Sequence, residues 1–191
     1  MNMNVIIVGV GGQGILLASR VLGRLAMDAG RDVKVSEVHG MSQRGGDVIT
    51  HVRIGENVLS PLVEEGTADA VIAFEQMEAV RALPYLKPGG WIVANTQKIA
   101  PAPVLTGAAV YPDGLLDTLA AAGELTALDA RSIAQEAGVS RAVNIVLLGA
   151  FASRQRLEQA AWLEAVDACV PSKTIEANRR AFLAGWEATK A

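Results

Sequence analysis

The chain has 191 residues, of which 51% are hydrophobic and 19% charged. That composition supports one folded domain, or one domain with an appendage, and excludes long disorder. Its net charge of −3 offers no attraction to a polyanion, and no basic stripe offsets it, so nucleic acid is not an expected partner. The lone cysteine, Cys169, excludes a disulfide framework or a thiolate-held iron–sulfur cluster, suits a reducing compartment and reads as a small buried hydrophobe. No apolar run reaches the roughly 18 residues of a membrane span, and the first residues lack a signal peptide's basic region and cleavage site. The expected location is the cytoplasm, with no membrane partner.

Residues 4–8 form a β-branched run that breaks at Gly9, as a buried parallel strand does. Residues 15–29 are helical in period, with Arg20, Arg24 and Asp28 on one wet stripe, and Gly30 ends them. Residues 32–38 read as a second strand and 39–46 (HGMSQRGG) as a loop. Val48, Thr50, Val52 and Ile54 alternate with Ile49, His51 and Arg53, a strand with two unlike faces. Gly55-Glu56-Asn57 suggests a hairpin turn toward Val58-Leu59. A strand at 70–74, a helix at 75–86 and a strand at 91–95 follow. The three prolines of 100–112 predict an extended surface segment.

A helix at 114–122, a strand at 125–129 and a helix at 130–137 come next. A long apolar helix over 141–154 has Ser140 as its candidate cap, and helices near 160–169 and 174–190 close the chain. Strands alternating with helices imply an α/β fold, a three-layer α/β/α arrangement with a mostly parallel sheet and a C-terminal helical segment. The corresponding division is residues 1–154 and a helical extension, 155–191.

Three segments carry chemistry. Gly9-Val10-Gly11-Gly12-Gln13-Gly14 fits G-x-G-x-x-G between a buried strand and a helix, where glycines let a phosphate approach free N–H groups at the helix start. Tight packing alone would also account for these glycines. Glu37, near the end of the second strand, stands where a dinucleotide fold keeps its ribose-binding carboxylate, so a nicotinamide or flavin reading stays open. In the segment from Ser36 to Gly46, Arg44 sits among glycines and small polar residues and could fork a phosphate, or simply belong to a solvated loop. His39 and His51 have no neighbouring cysteine or paired carboxylate to complete a metal site. Asn144 is a polar residue in an apolar helix and needs a hydrogen-bond partner if buried, either a backbone group or a ligand.

The segments GVGGQG (9–14), SEVHGMSQRGGDVITHVRIG (36–55) and RAVNIVLLGAFA (141–152) together resemble the gamma domain of 2-oxoacid:ferredoxin oxidoreductases. Within that family, ANTQKIAPAPVLTGAAVYP (94–112) is most similar to the branch acting on indolepyruvate. The resemblance implies an enzyme that decarboxylates a 2-oxoacid on thiamine diphosphate, passes electrons singly to ferredoxin and transfers the acyl group to coenzyme A. Thiamine diphosphate and the iron–sulfur clusters would sit on a larger partner subunit. This chain would supply no catalytic residue and no metal ligand, and alone it would be inactive. Carried over to this sequence, Gly11, Gly12, Gln13, Gly14, Arg44 and Asn144 would form the coenzyme A site.

Overall fold

The computed structural model describes residues 2–40 and 46–190. Arg44 lies outside the described residues. Strand β1 (Met3–Val10) leads through the glycine loop into helix α1 (Ile15–Asp28), and β2 (Asp32–His39) and β3 (Asp47–Gly55) follow. Then come β4 (Ala68–Ala73), α2 (Gln76–Arg81), β5 (Leu86–Asn95), α3 (Ala102–Leu105), α4 (Leu115–Ala122) and β6 (Glu124–Leu128). Helices α5 (Ala130–Glu136), α6 (Val143–Ala152), α7 (Gln159–Cys169) and α8 (Ile175–Glu187) complete the chain. None of the described helices is long and apolar enough to cross a membrane.

One six-stranded sheet has the order β2-β3-β1-β4-β5-β6. The β1–β4, β4–β5 and β5–β6 pairs are parallel, whereas β3 is antiparallel to both β1 and β2. Strands β1 and β2 therefore run the same way with β3 inserted between them. Helices α1 and α5–α8 share one apolar cluster with one face of the sheet, and α2 and α4 cover the other face through Ala79 and Leu119. The alternation of β1 shows both layers: Val5 and Ile7 enter the first cluster, Ile6 and Val8 the second.

Helix α6 is buried along nearly all its length because the sheet lies on one side and α8 on the other. Its close approach to α8 depends on two glycines. A Cβ added at Gly149 would collide with the Phe182 carbonyl, and one at Gly185 with the Val146 carbonyl. A run of aromatic rings binds the same region: Trp91 stacks on Phe151 (centroids 4.8 Å apart), Phe151 meets Trp162 edge-on, and Trp162 adjoins Phe182. Few as they are, the aromatic residues gather where the C-terminal helices dock.

Several local expectations are corrected. Residues 58–59 form no strand, because β3 already has a neighbour on each side; the Val58 amide instead donates to the Asp32 carboxylate at 2.9 Å. The second strand runs one residue further than expected: His39, assigned to the loop, pairs with Val48 and belongs to β2. The 100–112 segment contains the single turn α3, where prolines occupy first-turn positions that need no N–H donor. Ser140 is not a cap: α6 starts at Val143 without a side-chain cap, after a turn closed by the Ala142 amide on the Val139 carbonyl. Helix α2 is shorter than the sequence suggests and gives way to a 3-10 turn, Leu83–Tyr85, containing Pro84.

His51 is buried, with Nδ1 accepting from the Val63 amide at 3.2 Å and its ring edge-on to Tyr85. Burial lowers its pKa, so the folded chain resists protonation below about 6.5, where the unfolded chain takes it up. The stability this contributes is complete above that pH and is lost as pH falls toward the depressed folded-state value. Urea midpoints should therefore drop between about pH 7.5 and 5.5, and His51→Gln, which keeps an acceptor, should remove part of that drop. Gly149→Ala and Gly185→Ala should each destabilise the chain by about 1–3 kcal/mol or more, through overpacking. Denaturant titration measures this, and wild-type midpoints would refute the close-approach account.

Candidate functional site

The site forms at the C-terminal ends of β1 and β4. Helix α1 leaves β1 for one face and α2 leaves β4 for the other. Crevices of open α/β sheets form where successive connections diverge in this way.

The glycine loop is held from three sides. Gln13 folds inward: its Oε1 accepts from the Val10 amide at 2.7 Å and its Nε2 donates to the Phe74 carbonyl at 3.1 Å. Gly9 leaves room for that brace, since a Cβ there would stand 2.6 Å from Gln13 Oε1 and 2.8 Å from Phe74 Cβ. On the second side, the Gly11 amide donates to the Gly46 carbonyl at 2.9 Å, tying the loop to the start of β3. On the third, Asn144 of α6 donates from Nδ2 to the Gly14 carbonyl at 3.2 Å, while its Oδ1 accepts from the Ile145 amide. Gly14 has φ +83°, and a Cβ there would stand 2.6 Å from Asn144 Nδ2. Both the backbone conformation and the close approach require glycine.

These anchors leave a cradle of donors. The amides of Gly12, Gly14, Ile15 and Leu16 have no acceptor among the described residues, as expected at the start of a helix that lacks a side-chain cap. They face a cleft of about 310 Å³ lined by residues 10–16 with Glu37, His39 and Val48. Gly12, at φ +96°, borders open space: a Cβ there would meet no heavy atom within 4 Å. An anion bound here would gain amide hydrogen bonds and the positive end of the α1 dipole. Glu37 does reach the cleft, but it is already engaged, with Oε2 accepting from Thr50 Oγ1 at 3.2 Å and Oε1 lying 2.6 Å from His39 Nε2.

Of the residues singled out from sequence, Gly11, Gly12, Gln13, Gly14 and Asn144 come together although Asn144 is 130 positions away from Gly14. Gln13 and Asn144 spend their side chains on the loop itself and so position the amides.

A second polar cluster beside the loop was not read from the sequence. Asn95, fully buried, donates to the Phe74 carbonyl at 3.3 Å and accepts from the Ala130 amide at 3.1 Å. Glu75, also fully buried, caps α2 through the Met77 and Glu78 amides and accepts from the Ile99 amide and the Tyr111 hydroxyl. Burial first, then the Glu75 carboxylate, pushes the Tyr111 phenol pKa up. A carboxylate immediately after a strand and before a helix is a capping signal, and that was the available clue. Burial likewise raises the Cys169 thiol, which favours its inert form.

Residues 4–188 match the family described as pyruvate ferredoxin/flavodoxin oxidoreductase. The chain belongs to that family. It is 44% identical to the indolepyruvate oxidoreductase subunit IorB of Thermococcus kodakarensis, covering 98% of this chain and 96% of that protein. Its identity to the Archaeoglobus fulgidus subunit of the same name is 40%, over 97% and 94%. Among solved structures, the gamma subunit of a keto/oxoacid ferredoxin oxidoreductase from Geobacter sulfurreducens matches with a TM-score of 0.73 and 25% identity, covering 98% of both chains. The 2-oxoglutarate:ferredoxin oxidoreductase of Magnetococcus marinus, whose structure holds coenzyme A, shares the fold at a TM-score of 0.74 and 20% identity, over 99% of this chain and 31% of that one.

Gln13→Ala would strip the Val10 amide of its acceptor and leave the Phe74 carbonyl with Asn95 alone, and should cost about 1–3 kcal/mol. Asn144→Leu should cost about 0.5–1.5 kcal/mol by removing the second donor from the Gly14 carbonyl, which keeps the Leu17 amide. Chemical denaturation reads both, and unchanged midpoints would mean that neither side chain braces the loop.

Proposed function

We propose that this chain is the small subunit of an indolepyruvate ferredoxin oxidoreductase and that its glycine loop holds the phosphates of coenzyme A. Similarity to the IorB subunits along almost the whole chain supports the first part, and the unpartnered amides of the α1 start support the second. The complex would act in the cytoplasm. A larger partner subunit would carry thiamine diphosphate and the iron–sulfur clusters, with ferredoxin taking the electrons. Thiamine diphosphate, bound there, supplies the electron sink for decarboxylation of the 2-oxoacid.

What this chain contributes is binding and orientation. The amides of Gly12, Gly14, Ile15 and Leu16 would donate to the pyrophosphate without reorganising, because Gln13 and Asn144 already fix the loop. That would hold the coenzyme for acyl transfer at the partner's centre. Arg44, outside the described residues, is proposed from its place in the sequence to fork a phosphate beside the loop. In this reading residues 1–154 are the gamma-type domain and residues 155–191 a helical extension that buttresses α6.

The dinucleotide reading has one observation in its favour, the presence of Glu37 at the cleft. Against it, β3 separates β2 from β1, whereas a dinucleotide fold sets the carboxylate-bearing strand directly beside the first.

Steady-state kinetics of the assembled enzyme test the proposal. Gly12→Val would put a side chain into the cleft and strain the loop backbone at φ +96°, and Arg44→Ala would remove a charge-assisted contact. Each should raise KM for coenzyme A roughly tenfold or more and leave KM for the 2-oxoacid nearly unchanged. Equal effects on both substrates, or none on coenzyme A in folded variants, would refute the coenzyme reading.

A further inference from the structure

A second cavity, of about 450 Å³, lies across the start of α1 from the glycine cleft. Leu17 and Asn144 line it from the glycine-loop side, Ser140 and Arg141 from the turn before α6, and Asn178 and Arg180 from α8. Its lining includes two guanidinium groups and no aspartate or glutamate, in a chain whose net charge is −3. Among the described residues, neither Arg141 nor Arg180 makes an ion pair, whereas Arg24, Arg31, Arg81, Arg154 and Arg179 each have a carboxylate partner. Two unpaired planar cations from different elements, converging on one concave surface, are an arrangement that recognises a phosphate. The cavity adjoins the glycine loop, since Asn144, which lines it, donates to the Gly14 carbonyl.

We infer that the Arg141–Arg180 cavity is a second phosphate subsite, and that one ligand bridges it and the glycine loop. This inference rests on the coenzyme reading of the loop and deepens it. Coenzyme A carries a pyrophosphate and, separately, a 3′-phosphate on its adenosine ribose, so it presents phosphate at two places as the chain presents donors at two places. The amides of the α1 start hold the pyrophosphate, and the two arginines hold the 3′-phosphate. Discrimination then falls on the arginines, because a ligand without the 3′-phosphate leaves both cations with nothing to bind.

Calorimetric titration of the assembled enzyme with coenzyme A and with 3′-dephospho-coenzyme A tests this. The wild-type complex should prefer coenzyme A by roughly tenfold or more, and a variant carrying Arg141→Gln with Arg180→Gln should bind the two ligands about equally. Both side chains are exposed, so folding is not at stake; Arg180→Gln alone should give an intermediate preference. No preference in the wild type, or one unchanged in the double variant, overturns the subsite. Gly12→Val should weaken both ligands alike. If it weakens neither while the arginine variant loses its preference, the loop reading fails and the arginine subsite stands; if it weakens both while the arginine variant keeps its preference, the reverse holds.

Discussion

One hydrogen bond, from Asn144 to the carbonyl of Gly14, joins the two halves of the molecule on which the site depends. Gly14 closes the glycine loop and precedes α1; Asn144 stands in the first turn of α6, which is otherwise apolar. Without this bond the Gly14 carbonyl would keep only the Leu17 amide and face a buried helix with one acceptor lone pair unused, at a cost of about 0.5–1.5 kcal/mol. With it, the loop holds the amides of Gly12, Gly14, Ile15 and Leu16 where none of the described residues offers an acceptor. A single polar side chain in an apolar helix thus fixes both the helix position and the donor geometry.

The helix that delivers Asn144 is itself located by packing. Gly149 and Gly185 let α6 and α8 approach to backbone contact, and the Trp91–Phe151–Trp162–Phe182 rings fill the remaining space. Residues beyond 154 therefore contribute to the placement of a loop at the other end of the sequence. On the opposite flank, Gln13 and Asn95 converge on the same Phe74 carbonyl, which ties the loop to β4 and through Asn95 to α5. The loop is framed by the buried amide side chains of Asn95 and Asn144, which never need to touch a ligand. Preorganisation of this kind lowers the cost of binding.

Much of this was legible in the sequence, and for physical reasons. The run at residues 4–8, broken by Gly9, could only be a buried strand, and the glycine spacing marked the strand-to-helix turn. Asn144 was conspicuous because a buried amide in an apolar helix demands a partner. Long-range pairing was not legible. Nothing in the period-2 pattern of 48–54 tells that the strand lies antiparallel between β1 and β2, and so the turn after Gly55 looked like a hairpin. Gln13 looked like a ligand-facing residue because its inward fold depends on Phe74, 61 positions away. Glu75 passed unnoticed because its partners, Ile99 and Tyr111, lie in a segment whose prolines suggested only surface.

The central claim is that the free amides at the start of α1 receive the coenzyme's phosphates. Hydrogen–deuterium exchange of the assembled complex, with and without coenzyme A, tests it directly at the backbone. The account predicts slower exchange across residues 12–16 when coenzyme A is present, with α2 and α4 on the far face of the sheet unchanged. Equal exchange of residues 12–16 in the two states, at a coenzyme concentration that saturates turnover, would contradict it.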